Sequence, residues 1–315
     1  MANGTKPLQL GLLLRTGEQS KPAGRVVGWS ELREMSVMAE AVGFDTIWVA
    51  DHLIFRNAGN VVMEPGTSRG PLEAWTLLSA IAAVTSKVTL GPFVACNSFR
   101  EPALFAKMAD TLDEVSDGRL LLGIGAGWHE PEYSAFGFPY DHLASRFEEA
   151  LQIIVPLLKG ETVTFQGKYY SVTDAELRPR GPRPGGPPIW IGAKQPRMLR
   201  LLAKYADAYN TVWHPTPVPA IEAFARVDAA CAEVGRDPSE ILRTSGTHVL
   251  VPDAGDAPDA APTALTGSVD QLAEQIWAFH TEAGVSHMTF ILDPWTVRGI
   301  EQFGKVIERI QTFSK

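Results

Sequence analysis

A single (β/α)8 (TIM) barrel of the α/β class is the fold this sequence predicts, on three observations. Eight near-continuous apolar runs recur along the chain, amphipathic helix-like segments separate them, and a length of 315 residues suits one barrel with insertions. The runs fall at Leu8–Leu14, Thr46–Ala50, Val88–Ala95, Leu120–Gly125, Pro188–Ala193, Ala208–Trp213, Leu242–Val251 and His287–Leu292. They are continuous rather than alternating, as parallel strands covered on both faces are. Residues 1–315 are expected to form one domain, with excursions over residues 160–187 and 252–267.

Taken in order, the first run is followed by Leu32, Met35, Ala39 and Val42 on one helical face. The second ends Trp48-Val49-Ala50-Asp51-His52 and leads into a long Gly- and Pro-containing loop over residues 53–71. An acid and an imidazole at a strand's C-terminal end form either an orienting pair for proton transfer or a structural contact under that loop. The third run contains Pro92, which removes a ladder hydrogen bond and predicts a bulge. Beyond it, Asn97, Ser98 and Arg100 either contact a polar ligand, or cap the helix that Pro102 opens or face solvent.

The fourth run enters Gly123-Ile124-Gly125-Ala126-Gly127-Trp128-His129. A dinucleotide-binding turn needs a small residue where Trp128 stands, so this is not one. It reads instead as a buried strand whose end has no side chains at its glycines, leaving backbone bare for a flat group. Over residues 160–187 the period changes to two, which predicts a β-hairpin and a Pro/Gly/Arg connector.

After the fifth run, Gly192-Ala193-Lys194-Gln195-Pro196-Arg197-Met198 opens a helix. Its free N–H groups and two basic side chains make a phosphate seat, or an ordinary basic helix start. The sixth ends Trp213-His214, an aromatic and an imidazole for a pocket, or a core Trp and a surface His. The Ala/Asp/Pro tract 252–267 is expected to be too polar to pack and mobile. Ser268-Val269-Asp270-Gln271 is a capping box, and the helical faces Leu272, Ile276, Phe279, Ala283 and Ile300, Phe303, Ile307, Ile310 complete the pattern.

A formal charge of −8 and a pI near 5.4 argue against nucleic-acid and anionic-membrane partners and leave a small-molecule substrate. Cys96 and Cys231 match no metal or redox spacing, and Met1–Pro7 has no apolar signal core, so a soluble cytoplasmic protein is expected. The seven histidines include no His-x-His or His-x3-His pair, and no Gly-x-Ser-x-Gly elbow occurs. No metal is expected, and a metal-dependent lyase or hydrolase loses ground.

Several segments together resemble the bacterial luciferase-like monooxygenase superfamily. They are Gly43-Phe44-Asp45-Thr46-Ile47-Trp48-Val49-Ala50-Asp51-His52, Leu90-Gly91 leading to Phe99-Arg100-Glu101-Pro102-Ala103, Ser116-Asp117-Gly118-Arg119 running into the glycines, and Ala206-Asp207-Ala208-Tyr209-Asn210. The branch using the deazaflavin coenzyme F420 is the most similar. The resemblance implies a barrel with a hairpin insertion, a homodimer, and a deazaflavin or flavin ring at the barrel mouth backed by a non-proline cis peptide at Phe93-Val94. It makes Asp51 and His52 the acid–histidine pair beside the ring, and Cys96, Gly125, Ala126 and Gly127 contacts of the ring or its ribityl chain. Gly192, Lys194, Gln195, Arg197 and Met198 match the segment receiving the cofactor phosphate.

Those residues make the expected activity a hydride transfer to or from a small organic substrate, with His52 handling a proton and Asp51 orienting it. Trp128, His129, Trp213 and His214 are candidate substrate walls by their strand-end positions. Two departures keep alternatives open. The phosphate segment is poorer in glycine than is usual in the F420 branch, which keeps FMN and an oxygen-using monooxygenase in play. Trp128 stands where sugar-phosphate dehydrogenases of that branch carry a carboxylate. A catalytically inactive flavin-binding protein is the second alternative.

Overall fold

The structure, a computed structural model, describes residues 6–18, 26–59, 61–64, 66–257 and 260–313. In chain order its strands are β1 (Gln9–Leu14), β2 (Thr46–Val49), β3 (Phe55–Arg56), β4 (Ser68–Arg69), β5 (Thr89–Pro92), β6 (Ala95–Cys96), β7 (Leu122–Gly125), β8 (Val163–Gln166), β9 (Ser171–Ala175), β10 (Ile189–Gly192), β11 (Ala208–Asn210), β12 (Leu242–Leu250) and β13 (His287–Asp293). The α-helices are α1 (Trp29–Val42), α2 (Ala74–Val84), α3 (Pro102–Val115), α4 (Glu130–Phe136), α5 (Leu143–Lys159), α6 (Pro196–Tyr205), α7 (Pro217–Val234), α8 (Val269–Ala283) and α9 (Val297–Phe313).

Nine strands form one parallel sheet in the order β5-β2-β1-β13-β12-β11-β10-β7-β6. The sheet closes because β5 and β6 are halves of one interrupted strand. Leu90 of β5 bridges Leu120, just before β7, and Ala95 and Cys96 of β6 pair with Ile124 and Gly125. Eight strand positions therefore ring the axis, as the eight apolar runs predict. The run Val88–Ala95 is interrupted, as Pro92 predicts. It breaks after Pro92, which cannot donate to the ladder, and the Phe93–Val94 peptide there is cis.

Strand alternation sorts the core into two layers. Outward residues such as Leu10, Leu12, Ile47 and Val49 meet the helices, where the predicted faces of α1, α8 and α9 are buried. Inward residues Leu13, Trp48, Trp190, Ala208 and Ile291 fill the barrel with Ala50, Phe93 and Leu121. Trp48 packs on Trp190 with ring centroids 5.0 Å apart, and His287 closes the group at 4.9 Å from Trp190. Gly11 on β1 is glycine because a Cβ there would stand 2.7 Å from both Trp48 and His287.

Burial pushes the His287 imidazole down to about 3. The unfolded chain therefore binds a proton near pH 6.5 that the folded barrel refuses, and stability falls as pH drops from there toward the folded value. The expected result is that His287→Gln flattens the pH dependence of urea unfolding between pH 7 and 5 by about 1.4 kcal/mol per pH unit at most.

Three excursions leave the barrel. Within residues 53–71, β3 and β4 form a short antiparallel ladder, and the segment docks on the end of β1 through the Gly17–Pro71 bridge. Strands β8 and β9 are the predicted hairpin. The tract 252–267 packs more than its composition suggested: Ala254 and Leu265 are buried, and Leu265 bridges Val249 of β12. Two apolar side chains in a polar tract are enough to tie it to the strand beneath. The capping box of Ser268 and Gln271 opens α8 as expected.

Candidate functional site

The residues that face the mouth follow from the same alternation, continued past the strand ends. Trp48 and Ala50 face inward, so His52 does and Asp51 does not. Leu13 leads to Arg15, Ile291 to Asp293, Trp190 to Gly192 and Ala208 to Asn210. His248 of β12 pairs in register with Ile291 and shares its inward face.

His52 is held by Glu132 of α4, with Nδ1 2.8 Å from Oε1. The other Glu132 oxygen accepts from the Leu53 and Ile54 N–H groups at 2.5 and 3.4 Å. A carboxylate only accepts, so Nδ1 carries the hydrogen and Nε2 is left as the unprotonated nitrogen. Glu132 is fully buried, while the His52 side chain keeps 19% of its surface exposed. Phe55 and Trp128 flank the imidazole, with centroids at 4.4 and 5.6 Å.

Asp51 does not orient His52. Its carboxylate takes a two-pronged contact from Arg100, at 2.6 and 3.0 Å, and accepts the Cys96 N–H at 2.9 Å. One step along an extended chain reverses the face, which puts Asp51 under the helices as a buried anchor. Arg100 also reaches Glu73, whose side chain caps α2. Arg100 neither faces solvent nor caps the Pro102 helix; it is the partner of Asp51.

A Cβ on Gly125 would stand 2.9 Å from Val94, and one on Gly127 would collide with the Tyr133 hydroxyl and the Cys96 thiol. The missing side chains thus make room for the protein's own bulge and for Tyr133. Gly127 also has φ +85°, which suits glycine. Cys96 lies in a small cluster with Phe99 and Tyr133, its Sγ 3.1 Å from the Tyr133 hydroxyl, rather than in the mouth. Burial raises its thiol to about 12, so it stays protonated. His129 is likewise no wall of the mouth. It is buried, its Nε2 accepts the Arg56 N–H at 3.2 Å, and burial lowers its pKa.

Trp128 and Trp213 are the exposed aromatics at the rim, 48% and 39% accessible. Trp213 has φ +67° and donates its N–H to Gly246, which sets its ring against Phe93 at 6.4 Å and His248 at 4.9 Å. His214 is half-buried, bonds Thr211 at 2.9 Å, and is lowered in pKa by burial and then by the Lys194 charge. Gln195 caps α6 without a side-chain bond, and the first turn-closing bond comes only from Leu199 N–H. Lys194 is exposed, its carbonyl takes Arg226, and Arg197 pairs with Glu148 at 2.6 Å and Ser145 at 2.9 Å.

Sequence reasoning missed Glu132, Arg226 and the group of Arg15, His248 and Asp293. Glu132 had a readable signal, an acid in the first turn of a helix directly after a strand-end aromatic; the others depend on register alone. Among the described residues no cluster of His, Cys, Asp and Glu is arranged to hold a metal ion, and no helix is long and apolar enough to cross a membrane.

A closed barrel with a fixed imidazole, aromatic rims and a basic helix start at its C-terminal mouth has the build of a (β/α)8 enzyme. The chain belongs to the luciferase-like monooxygenase family, whose model matches residues 8–274. It is 32% identical to a 5,10-methylenetetrahydromethanopterin reductase of Archaeoglobus fulgidus, over 65% of this chain and 56% of that protein. It is 31% identical to a phthiodiolone/phenolphthiodiolone dimycocerosates ketoreductase of Mycobacterium kansasii, over 82% and 73%. The chain spans only 56%, 66% and 55% of three curated relatives it matches. Its fold is that of an F420-dependent secondary alcohol dehydrogenase solved with an F420–acetone adduct (TM-score 0.77, 21% identity, 96% of this chain and 98% of that one). It is equally that of an EDTA monooxygenase from Chelativorans sp. BNC1 (TM-score 0.77, 14% identity, 97% and 94%).

Proposed function

We propose that this protein is an oxidoreductase that binds coenzyme F420 in the barrel mouth and moves a hydride between it and a small organic substrate. The observation that carries this is the His52 imidazole, fixed by buried Glu132 with Nε2 left unprotonated. Two further features fit a ring there. Gly192 bears no side chain, and a Cβ would meet only Val94 and Asn210, at 3.7 and 3.8 Å. The buried Asn210 Nδ2 has no protein acceptor and suits a ring carbonyl. An F420-dependent glucose-6-phosphate dehydrogenase of Microbacterium testaceum, 34% identical over 61% of this chain and 55% of that protein, supports the reading.

When bound, the deazaflavin supplies the hydride chemistry. The chain's own part is to hold, to exclude water and to move a proton. Phe93, Val94, Gly192 and Asn210 would receive the ring, and the N–H groups of Arg197 and Met198 with Lys194 and Arg226 the phosphate. The Arg197–Glu148 pair is half-exposed and contributes about 0–1 kcal/mol, so an incoming phosphate can displace it. His52 Nε2 takes or gives the proton at the substrate oxygen, with Glu132 stabilising the charged imidazolium. Trp128 and Trp213 close the mouth over an apolar substrate body.

An FMN-dependent monooxygenase is the second reading, favoured by the single glycine in Gly192-Ala193-Lys194-Gln195 and by the shared fold of the EDTA monooxygenase. Titrating the apoprotein with both cofactors separates them. Saturable F420 binding without FMN binding is expected; tight FMN binding without F420 binding overturns the assignment. Two free, buried cysteines suit a reducing cytoplasm. A homodimer is the proposed assembly.

A further inference from the structure

The mouth holds a second carboxylate–imidazole pair that the reading above does not use. His248 Nδ1 lies 3.8 Å from Asp293 Oδ2, and both atoms are buried without a hydrogen-bond partner. Asp293 is held from its other oxygen by Arg15 at 3.0 Å. His248 pairs in register with the inward-facing Ile291, and Arg15 and Asp293 lie one inward step beyond Leu13 and Ile291. Asp293 therefore faces the Nδ1 side of His248, as Glu132 faces that of His52. The His248 side chain keeps 20% of its surface exposed, and Nε2 is not among the buried atoms lacking partners. Strand β12 lies three positions round the sheet from β2, so this imidazole opens onto a different arc of the mouth from His52.

We propose that His248 anchors the substrate by accepting at Nε2 a hydrogen bond from an uncharged hydroxyl, on an oxygen other than the one at which His52 acts. This rests on the mouth being the substrate site, as proposed above, and names the class of substrate. The Arg15–Asp293 pair is neutral as a unit, so it offers no spare positive charge for a phosphate or carboxylate. Trp213 lies on the His248 ring at 4.9 Å, and Arg15 lies over Trp295 at 5.6 Å, so the anchor is walled by indole faces. An apolar ring or chain carrying a neutral hydroxyl matches such a setting. Asp293 is a positioning residue here, acting through the orientation of His248.

The test uses three probes of one shape, cyclohexanol, methylcyclohexane and cyclohexyl phosphate, with binding followed by tryptophan fluorescence on apoprotein and on protein saturated with F420. Wild type is expected to prefer cyclohexanol over methylcyclohexane by about 5- to 10-fold, the worth of one hydrogen bond. His248→Phe, which keeps the ring against Trp213, should erase that preference and leave methylcyclohexane binding unchanged. Asp293→Asn should reduce the preference, again without moving methylcyclohexane. His248→Gln should restore part of it, and His52→Ala should retain it. If His248→Phe does not fold by circular dichroism, His248→Leu takes its place. An undiminished preference in the ring variant, or cyclohexyl phosphate binding more tightly than cyclohexanol through His248, overturns the proposal. Failure of the apoprotein to bind either F420 or FMN would overturn the functional reading instead, while the apoprotein arm still decides the role of His248.

Discussion

His52→Ala lowers steady-state turnover of the F420-loaded protein by about 10²- to 10⁴-fold. Its cofactor affinity stays within a factor of about ten, the worth of one hydrogen bond. The size follows from what the side chain is arranged to do. Glu132 is fully buried and spends one oxygen on Nδ1 and the other on the Leu53 and Ile54 N–H groups. The imidazole is therefore fixed in one tautomer before any ligand arrives, with Nε2 unprotonated. Alanine removes the proton-handling atom and leaves Glu132 anchored on the loop backbone, so the local fold survives. Glu132→Gln makes the complementary case. The amide cannot accept from Nδ1 and from two backbone N–H groups at once, so the ring loses its fixed orientation and turnover falls, by less than in His52→Ala. Stopped-flow reduction of the cofactor measures both. Full turnover in His52→Ala would remove the imidazole from the chemistry.

Asp51→Ala has the largest expected effect on stability, a loss of about 3–5 kcal/mol. It strips the two-pronged partner from an Arg100 side chain that is only 10% exposed and removes the acceptor of the Cys96 N–H. Those contacts tie the loop after β2 to the strand just beyond the Phe93–Val94 bulge. Glu73 holds Arg100 from an exposed position, so Glu73→Gln costs far less, about 0–1 kcal/mol for its share of the pair. Urea unfolding compares the two variants. Because Asp51 faces away from the mouth, the folded fraction of Asp51→Ala is expected to keep more of its turnover than His52→Ala does. Unchanged stability together with a turnover loss as deep as that of His52→Ala would return Asp51 to the proton-transfer pair.

These two neighbours show what was legible in the chain and what was not. Both could be picked from the sequence because they stand at the C-terminal end of an apolar run, where a barrel gathers its chemistry. Their separate roles could not, because one step along an extended backbone exchanges faces and the run does not announce its phase. The partner of His52 lies 80 positions away, on a helix whose approach to the loop is a tertiary fact. The strands themselves were readable as apolar blocks, and the helices by their period, since burial on a fixed face leaves a periodic trace. The glycine run was visible but its purpose was not. Absence of a side chain looks the same in sequence whether a ligand fills the space or, as here, Val94 and Tyr133 do. His248 and Asp293 carry no local motif at all; the parallel register of β12 and β13 brings them together.

The most direct measurement is a crystal structure of the protein grown with F420. Ring density beside Gly192 and Asn210, with a ring or substrate atom within hydrogen-bonding reach of His52 Nε2 and the Asp51–Arg100 pair intact, is the expected result. Density for the ring outside the mouth, or a His52 turned from Glu132 and bonded to Asp51, would contradict it.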